Sequence, residues 1–298
     1  MRPIAKVIAR SDFLLQLLKS LWVQTTLITS SKLQIRASYE IAQGSIETSR
    51  KRHYQEILGN LKLLRAINLV GGRLIRVGPH GEGGYVIFDM LNELNTIVSI
   101  GIGMDTSFEE DLNSRSNRSL LFHLFDHTAR PIRELPENFN FYSTGIASYV
   151  EGHHLLSLEA IVQRCLNAHS VSLLKIDIDG SEYEALPQVR RETYSHFEQI
   201  VIEFHNLAGN SMIDGTLRKI LQTLSKDFFV IHLHPNNFEP WVSVEGFALP
   251  NVLEVTFLNR KYLNQTSNEL VIFPRQEDAP NNLENEMILG AFYFPDPD

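Results

Sequence analysis

The strongest constraint on the fold is a regular series of short apolar runs that begins near residue 70. Seven of these runs have the length and composition of buried strands: TIVSIG (96–101), LLFHLFD (120–126), FNFYS (139–143), SLLKIDI (172–178), QIVIEFH (199–205), FFVIHLH (228–234) and LEVTFL (253–258). Helical patterns such as SFEEDLNSRS, SLEAIVQRCLNA and DGTLRKILQTLSK separate several of them. Apolar strands that alternate with helices predict a doubly wound, mostly parallel α/β sheet.

The segment between the last two runs indicates how the sheet ends. Residues 235–252 contain three prolines and a glycine and show no helical pattern, so we expect a long hairpin and an antiparallel final pair. Earlier in the chain, LIRVG and YVIFDM flank PHGEGG and predict a second hairpin. Seven strands with an antiparallel final pair are typical of the Rossmann-like sheet of class I S-adenosylmethionine methyltransferases.

Three segments are expected along the chain: an N-terminal helical extension (1–68), the Rossmann-like domain (69–260), and a C-terminal strand and tail packed on that domain (261–298). Within residues 1–30 the apolar positions recur at helical spacing, with basic residues off that stripe. This helix either packs on the main domain or a second subunit, or lies on an anionic membrane surface. Its polar interruptions argue against a signal peptide or a membrane span. A second helix is expected at 47–66.

Charge is distributed unevenly along the sequence. Residues 1–65 carry eleven of the 27 basic residues but only four of the 35 acidic residues, so the remainder of the chain is strongly acidic. An acidic main body argues against nucleic acid as the principal ligand. Cys165 is the only cysteine, which excludes an intrachain disulfide and favours a reducing compartment. We expect a cytoplasmic protein, which would be peripheral at the membrane if its first helix binds there. The sequence leaves homo-oligomerisation open.

The carboxyl ends of the strands are the expected ligand-binding edge of such a sheet. Gly101 and Gly103 follow the first core strand and allow a sharp turn close to a ligand. Asp126 ends the second strand, where an acid can accept both hydroxyls of a ribose; the alternative is a surface loop acid. Small residues after the third strand leave room for a flat ring such as adenine. The full set of predicted cofactor-binding residues is Gly101, Gly103, Asp105, Asp126, His127, Gly145 and Ala147.

Acids and imidazoles follow the next strands. If the fourth strand continues through Asp179, then Asp177 and Asp179 point to the same side. Glu203 and His205 end the fifth strand, and His234 ends the sixth. Glu182 and Glu184 fall in the first turn of the following helix, where the helix dipole stabilises negative charge. We therefore predict that the acids and imidazoles of these strand ends converge at one rim.

Several ordered motifs resemble the FkbM-type methyltransferase family. KIDIDGSEYEAL is similar to its K-I-D-x-E-G-x-E-x-x-x-L signature, with Asp179 in place of the glutamate. GEGGYVI resembles a D-G-G-Y-V element, SIGIGMDTSFEEDL resembles S-F-G-I-G-x-D-x-S-F-E, and LFDHT, IVIEFH and HLHPNN follow in the expected order. The resemblance spans roughly residues 70 to 260. Ser99 and Glu82 depart from the pattern.

The resemblance implies an S-adenosylmethionine-dependent methyltransferase that acts on a hydroxyl of a sugar, glycan or secondary metabolite. Asp177, His205 and His234 are the candidate bases for removing the hydroxyl proton. A divalent cation such as Mg²⁺, held by Asp177, Asp179 and Glu203 with His205 as a further candidate ligand, is the alternative means of activation. Two other classes stay open: an NAD-binding oxidoreductase, disfavoured because Thr106 replaces the third glycine of its fingerprint, and a non-catalytic membrane adaptor.

Overall fold

The computed structural model describes residues 47–148, 154–263, 266–267 and 271–285. The chain forms two compact units, Met1–Glu56 and Ile57–Asp298. The first unit is described only over residues 47–56, which are helical. The predicted helix within residues 1–30, with its proposed membrane or subunit contact, lies outside the described residues.

Six α-helices lie within the described ranges: α1 (residues 47–63), α2 (Ser107–Arg115), α3 (Leu158–Cys165), α4 (Glu182–Ala185), α5 (Arg191–Tyr194) and α6 (Thr216–Leu224). The strands are β1 (Asn68–Leu69), β2 (Leu74–Val77), β3 (Tyr85–Phe88), β4 (Thr96–Ile100), β5 (Leu121–Phe125), β6 (Phe139–Tyr142), β7 (Gly145–Ile146), β8 (Leu155–Leu156), β9 (Ser172–Ile176), β10 (Gln199–Phe204), β11 (Phe228–Pro235), β12 (Trp241–Val244), β13 (Phe247–Pro250), β14 (Leu253–Asn259) and β15 (Thr266–Ser267). Among the described residues, no helix has the length and apolar character needed to cross a membrane.

The main sheet confirms the predicted fold class. Its seven strands have the order β11-β14-β10-β9-β4-β5-β6, and each corresponds to one of the seven apolar runs. The five strands from β10 to β6 are parallel, whereas β14 runs antiparallel to both β10 and β11. A small hairpin of β12 and β13 occupies the predicted connection between β11 and β14. The carboxyl ends of β4, β5, β9, β10 and β11 therefore lie along one rim.

Both faces of the sheet are covered. On one face, Phe108 and Leu112 of α2 pack with Tyr85 and Ile87 of β3 and with Ile97 of β4. On the other face, the apolar residues of α3 and α6 pack against those of β9 and β10. This alternation of buried side chains explains why the strands are apolar throughout, as their sequence suggested.

The predicted hairpin before the main sheet is present as β2 and β3. It packs over the sheet, because the Thr256 hydroxyl of β14 donates to the carbonyl of Val86 (2.6 Å) and the backbone N–H of Phe88 donates to Oε1 of Gln199 (2.6 Å). The C-terminal strand predicted at ELVIF is partly outside the described residues, and within residues 271–273 the pairing is an isolated β-bridge at Phe273. The hairpin thus brings the GEGGYV motif to the rim.

The fourth core strand, β9, is too short to include both Asp177 and Asp179. β9 ends at Ile176, and Asp179 has a left-handed backbone conformation with φ of 50°. The chain turns here because the N–H groups of Ile178 and Gly180 both lie toward Oε1 of Glu182, at 3.3 and 3.2 Å. The expectation that Asp177 and Asp179 share one side of an extended strand is therefore wrong.

Candidate active site

The loop after β4 lies against the end of β9. A Cβ added to Gly101, which has φ of 79°, would lie 1.7 Å from the carbonyl oxygen of Asp177. Gly103 also has positive φ (58°), but a Cβ there would meet nothing within 4 Å. Gly101 is therefore required by the contact between two chain segments, whereas Gly103 faces open space where a ligand can approach its backbone.

Asp126 connects this loop to the end of β5. Its Oδ2 accepts from the N–H of Gly103 (2.8 Å), and its Oδ1 accepts from the N–H groups of Thr128 (2.7 Å) and Ala129 (2.8 Å) and from the Thr128 hydroxyl (2.8 Å). Burial raises the pKa of Asp126, but these donors outweigh it and leave the pKa below its ordinary value. Oδ2 accepts one hydrogen bond and keeps a second lone pair that a ribose hydroxyl could use, and the role of Asp126 in cofactor binding stays a prediction.

The other predicted cofactor residues lie around the same loops. Asp105 precedes the N-cap residue Thr106 and accepts from the N–H (3.0 Å) and hydroxyl (2.9 Å) of Ser107, the first residue of α2. His127 is exposed and lies over Gly145, where an added Cβ would come within 2.4 Å of its Nδ1. The N–H of Ala147 donates to the carbonyl of Leu156 (2.9 Å). Their contacts with a cofactor stay predictions.

Tyr85 joins two carboxylates of the rim. Its hydroxyl lies 2.8 Å from Oδ2 of Asp177 and 2.9 Å from Oε2 of Glu203. The tyrosine is 1% exposed, and burial followed by the charge of Asp177 raises its pKa well above the ordinary value. Burial and the charge of Asp177 also raise the pKa of Glu203 well above its ordinary value. Sequence reasoning missed Tyr85, although it stands in the GEGGYV motif.

Glu182 orients His205. Nδ1 of His205 lies 3.1 Å from Oε1 of the fully buried Glu182. Burial lowers the pKa of His205, but the Glu182 hydrogen bond and the nearby carboxylates outweigh it and raise the pKa to about 9. Nε2 lies 3.8 Å from Oδ1 of Asp177 and 4.0 Å from Oε1 of Glu203. Asp177, Glu203 and His205 therefore lie together at the rim, and Glu182 of the following helix reaches them through His205.

The predicted metal ligands occupy different environments. Asp177, Glu203 and His205 each offer a ligand atom, and the three atoms lie within 4.8 Å of one another. The side chain of Asp179 is 99% exposed, although its Oδ1 lies 3.9 Å from Nε2 of His205. The geometry therefore favours a ligand set with His205 in place of Asp179, and metal binding stays a prediction.

His234 lies in a separate buried network. Its Nδ1 donates to Oδ1 of Asp278 (2.8 Å) and its Nε2 donates to Oδ1 of Asn281 (2.7 Å), while Nδ2 of Asn281 donates to Glu254 (2.8 Å). A ring that donates from both nitrogens is an imidazolium and has no lone pair to accept a proton. In this arrangement His234 cannot act as the predicted base.

This network predicts a pH-dependent stability. Burial lowers the pKa of His234, but Glu254 and Asp278 raise it to about 9, with His232 also facing Asp278. A pKa raised above the unfolded value of about 6.5 stabilises the fold fully below pH 6.5, and this contribution is lost as the pH rises to 9. We expect the contribution of His234 to the free energy of unfolding to fall by on the order of 3 kcal/mol across that window, and His205, whose pKa is also about 9, adds a fall of its own. Urea unfolding should show a smaller fall for His234→Gln; an equal fall in both proteins would contradict this assignment.

The fold and the site together define a class I methyltransferase. A seven-stranded sheet with an antiparallel final pair carries a glycine loop after β4, an acid at the end of the neighbouring strand β5, and an acid and an imidazole at the ends of β9 and β10. The family model described as the methyltransferase FkbM domain matches residues 67–228, more than half of the chain. The protein belongs to the FkbM family of S-adenosylmethionine-dependent methyltransferases.

Other comparisons are distant. The fibrillarin pre-rRNA processing protein of Methanococcus jannaschii is 9% identical, with a TM-score of 0.32 over 64% of this chain and 84% of that chain. The plantazolicin methyltransferase BpumL, in complex with SAH, is 10% identical, with a TM-score of 0.25 over 85% of this chain and 99% of that chain. No curated protein sequence matches this chain.

Proposed function

We propose that the protein methylates a hydroxyl oxygen of a sugar, glycan or other small metabolite. The observation that carries the proposal is the contact between the glycine loop and the candidate base: the carbonyl of Asp177 abuts Gly101, and the N–H of Asp177 donates to the carbonyl of Ile100 (3.0 Å). The predicted cofactor loop and the carboxylate that faces the acceptor side are thus adjacent. Methyl transfer depends mainly on such positioning of donor and acceptor.

The described residues are compatible with S-adenosylmethionine. The open space at Gly103 and its positive φ let a ligand approach the backbone, and Gly145 and Ala147 keep the neighbouring loop small. When bound, the cofactor supplies an electrophilic methyl group on a sulfonium, which is left as a neutral thioether. The residues of the chain then have to hold the acceptor oxygen in line and remove its proton.

Asp177 is the proposed proton acceptor. Its Oδ2 is fixed by Tyr85, and its side chain is 23% exposed at the rim, so Oδ1 can reach an acceptor hydroxyl. The O–H proton passes to Asp177 as the oxygen forms its bond to the methyl carbon. His205 carries a proton at neutral pH because its pKa is about 9, so it orients the acceptor and balances the carboxylates. A divalent cation at the same corner is a separate proposal.

Two glycine variants test the cofactor site. We expect Gly103→Ala to weaken binding of S-adenosylmethionine at least tenfold, because its methyl group enters the open space at the rim. Gly215→Ala is the matched control. Gly215 also has positive φ (89°), and an added Cβ would have no neighbour within 4 Å. It differs in position, because it is the N-cap residue of α6 and not part of the loop after β4. Both changes should cost about 1–2 kcal/mol of stability through the left-handed conformation.

Calorimetric titration of both variants with S-adenosylmethionine, and with NAD as a second ligand, checks this expectation. Equal affinity of the two variants for S-adenosylmethionine would place the cofactor elsewhere. Binding of NAD instead would support the oxidoreductase alternative and overturn the proposed function.

A further inference from the structure

We propose that Asp177, Glu203 and His205 form a binding site for a divalent cation of the Mn²⁺ type, which activates the acceptor hydroxyl. This inference deepens the proposed function and rests on it for the role of the cation, but the site itself is argued from the side chains alone. The three residues come from the ends of β9 and β10, and their side chains are 23%, 2% and 17% exposed, respectively. They form a partly buried cluster at the rim of the sheet.

Nε2 of His205 lies among carboxylate oxygens but forms a hydrogen bond with none of them. Carboxylate oxygens of Asp177, Asp179 and Glu203 lie 3.8, 3.9 and 4.0 Å from this nitrogen. A proton on Nε2 therefore reaches none of them at hydrogen-bond distance. Two ligands that each lie about 2.0–2.2 Å from a cation are about 3–4.4 Å apart, so a cation between these atoms accounts for the separations.

Two carboxylates meet at the Tyr85 hydroxyl. The Tyr85 hydroxyl lies 2.8 and 2.9 Å from one oxygen of each carboxylate, so Asp177 and Glu203 lie close together on either side of it. Lys175 does not bridge them, because its Nζ lies over the Tyr85 ring, 5.1 Å from the centroid, and it forms no ion pair with either carboxylate among the described residues. A divalent cation on the opposite oxygens of the two carboxylates lowers the repulsion between them.

Each proposed ligand residue is held in place by a neighbouring side chain. Glu182 holds Nδ1 of His205, which leaves Nε2 toward the carboxylates, and a cation bound there would take the place of the Nε2 proton, as in the carboxylate–histidine–metal arrangement. Tyr85 holds one oxygen of Asp177 and of Glu203, and Asn236 donates to the other oxygen of Glu203 (3.0 Å). Asp179 lacks such a partner among the described contacts and is almost fully exposed, so it is not part of the proposed ligand set.

The chemistry of the donors selects the cation. Two carboxylates favour Mg²⁺, Ca²⁺ and Mn²⁺, whereas an imidazole favours the transition metals, and Mn²⁺ satisfies both preferences. Three protein ligands leave positions for water and for the acceptor oxygen. Binding of the hydroxyl to the cation lowers its pKa, so in this form Asp177 and His205 activate the oxygen through the metal and the proton leaves to solvent.

Titration of the chelator-treated full-length protein with MnCl₂, followed by the electron paramagnetic resonance signal of free Mn²⁺, tests the site without methyl transfer. We expect one bound Mn²⁺ per chain. Glu203→Gln and His205→Ala should lose at least tenfold in affinity, and Glu182→Gln should lose about tenfold because it removes the charge that orients His205. Glu184→Gln, an exposed acid of the same helix, is the matched control and should bind Mn²⁺ as the wild type does.

Three outcomes separate this proposal from the proposed function. Absence of Mn²⁺ binding up to 1 mM, roughly −4 kcal/mol, overturns the cation site even if S-adenosylmethionine binds. Equal Mn²⁺ binding by wild type, Glu203→Gln and His205→Ala places the ion elsewhere and also overturns it, provided that circular dichroism shows folded variants. Mn²⁺ binding that depends on these residues, in a protein that does not bind S-adenosylmethionine, supports the cation site and refutes the proposed function.

Discussion

Replacing Asp177 by asparagine is expected to slow methyl transfer by about 10²- to 10⁴-fold, the usual contribution of a positioned base. Asparagine has nearly the same shape and can still accept the Tyr85 hydrogen bond, which is 2.8 Å long in the native protein. The change removes the negative charge that takes the hydroxyl proton or binds the cation. The rate constant of a single turnover, measured with saturating cofactor and acceptor, reports this step.

Two controls test whether the slower rate of Asp177→Asn arises in the chemical step: the affinity for the cofactor, and the rate of a second acid variant. Asp177→Asn should bind S-adenosylmethionine within a few-fold of the wild type, because the contact with Gly101 is made by the backbone carbonyl of Asp177. Glu184→Gln removes an exposed carboxylate from α4 and should keep the wild-type rate. A loss of less than tenfold in Asp177→Asn would exclude Asp177 from the chemical step.

The sheet and its rim were predictable from the sequence because they depend on local patterns. Each apolar run, such as TIVSIG or QIVIEFH, became a strand of the main sheet, since buried parallel strands need continuous apolar residues. The carboxyl ends of parallel strands meet at one edge, so the proximity of Asp177 and His205 followed from the strand assignment alone. Family motifs in the same order fixed the class of enzyme.

Side-chain directions beyond the strand ends could not be predicted in this way. Asp179 points to solvent because the chain leaves β9 after Ile176 and turns around the carboxylate of Glu182. Tyr85 meets Asp177 across 92 residues of sequence, through a hairpin whose packing on the sheet has no local signal. His234 looked like a base at a strand end, but Asp278 and Asn281, far along the chain, occupy both of its nitrogens.

The contact between the glycine loop and β9 predicts a large loss of stability for Gly101→Ala. The added Cβ would lie 1.7 Å from the carbonyl oxygen of Asp177 and 2.9 Å from Cγ2 of Ile178, and a backbone oxygen cannot rotate away as a side chain can. Alanine also has to adopt φ near 79°. The left-handed conformation costs about 1–2 kcal/mol and overpacking about 1–3 kcal/mol, so we expect a loss of about 2–5 kcal/mol.

Gly103→Ala provides the comparison two residues away, because its added Cβ meets no atom within 4 Å and only the conformational cost of about 1–2 kcal/mol applies. Urea unfolding of both variants measures the difference. If Gly101→Ala folds, we also expect slow methyl transfer, since relief of the contact moves the backbone of Asp177 away from the glycine loop. Equal stability of the two variants would show that the loop and the end of β9 are not in the close contact on which the proposed adjacency of cofactor and acceptor depends.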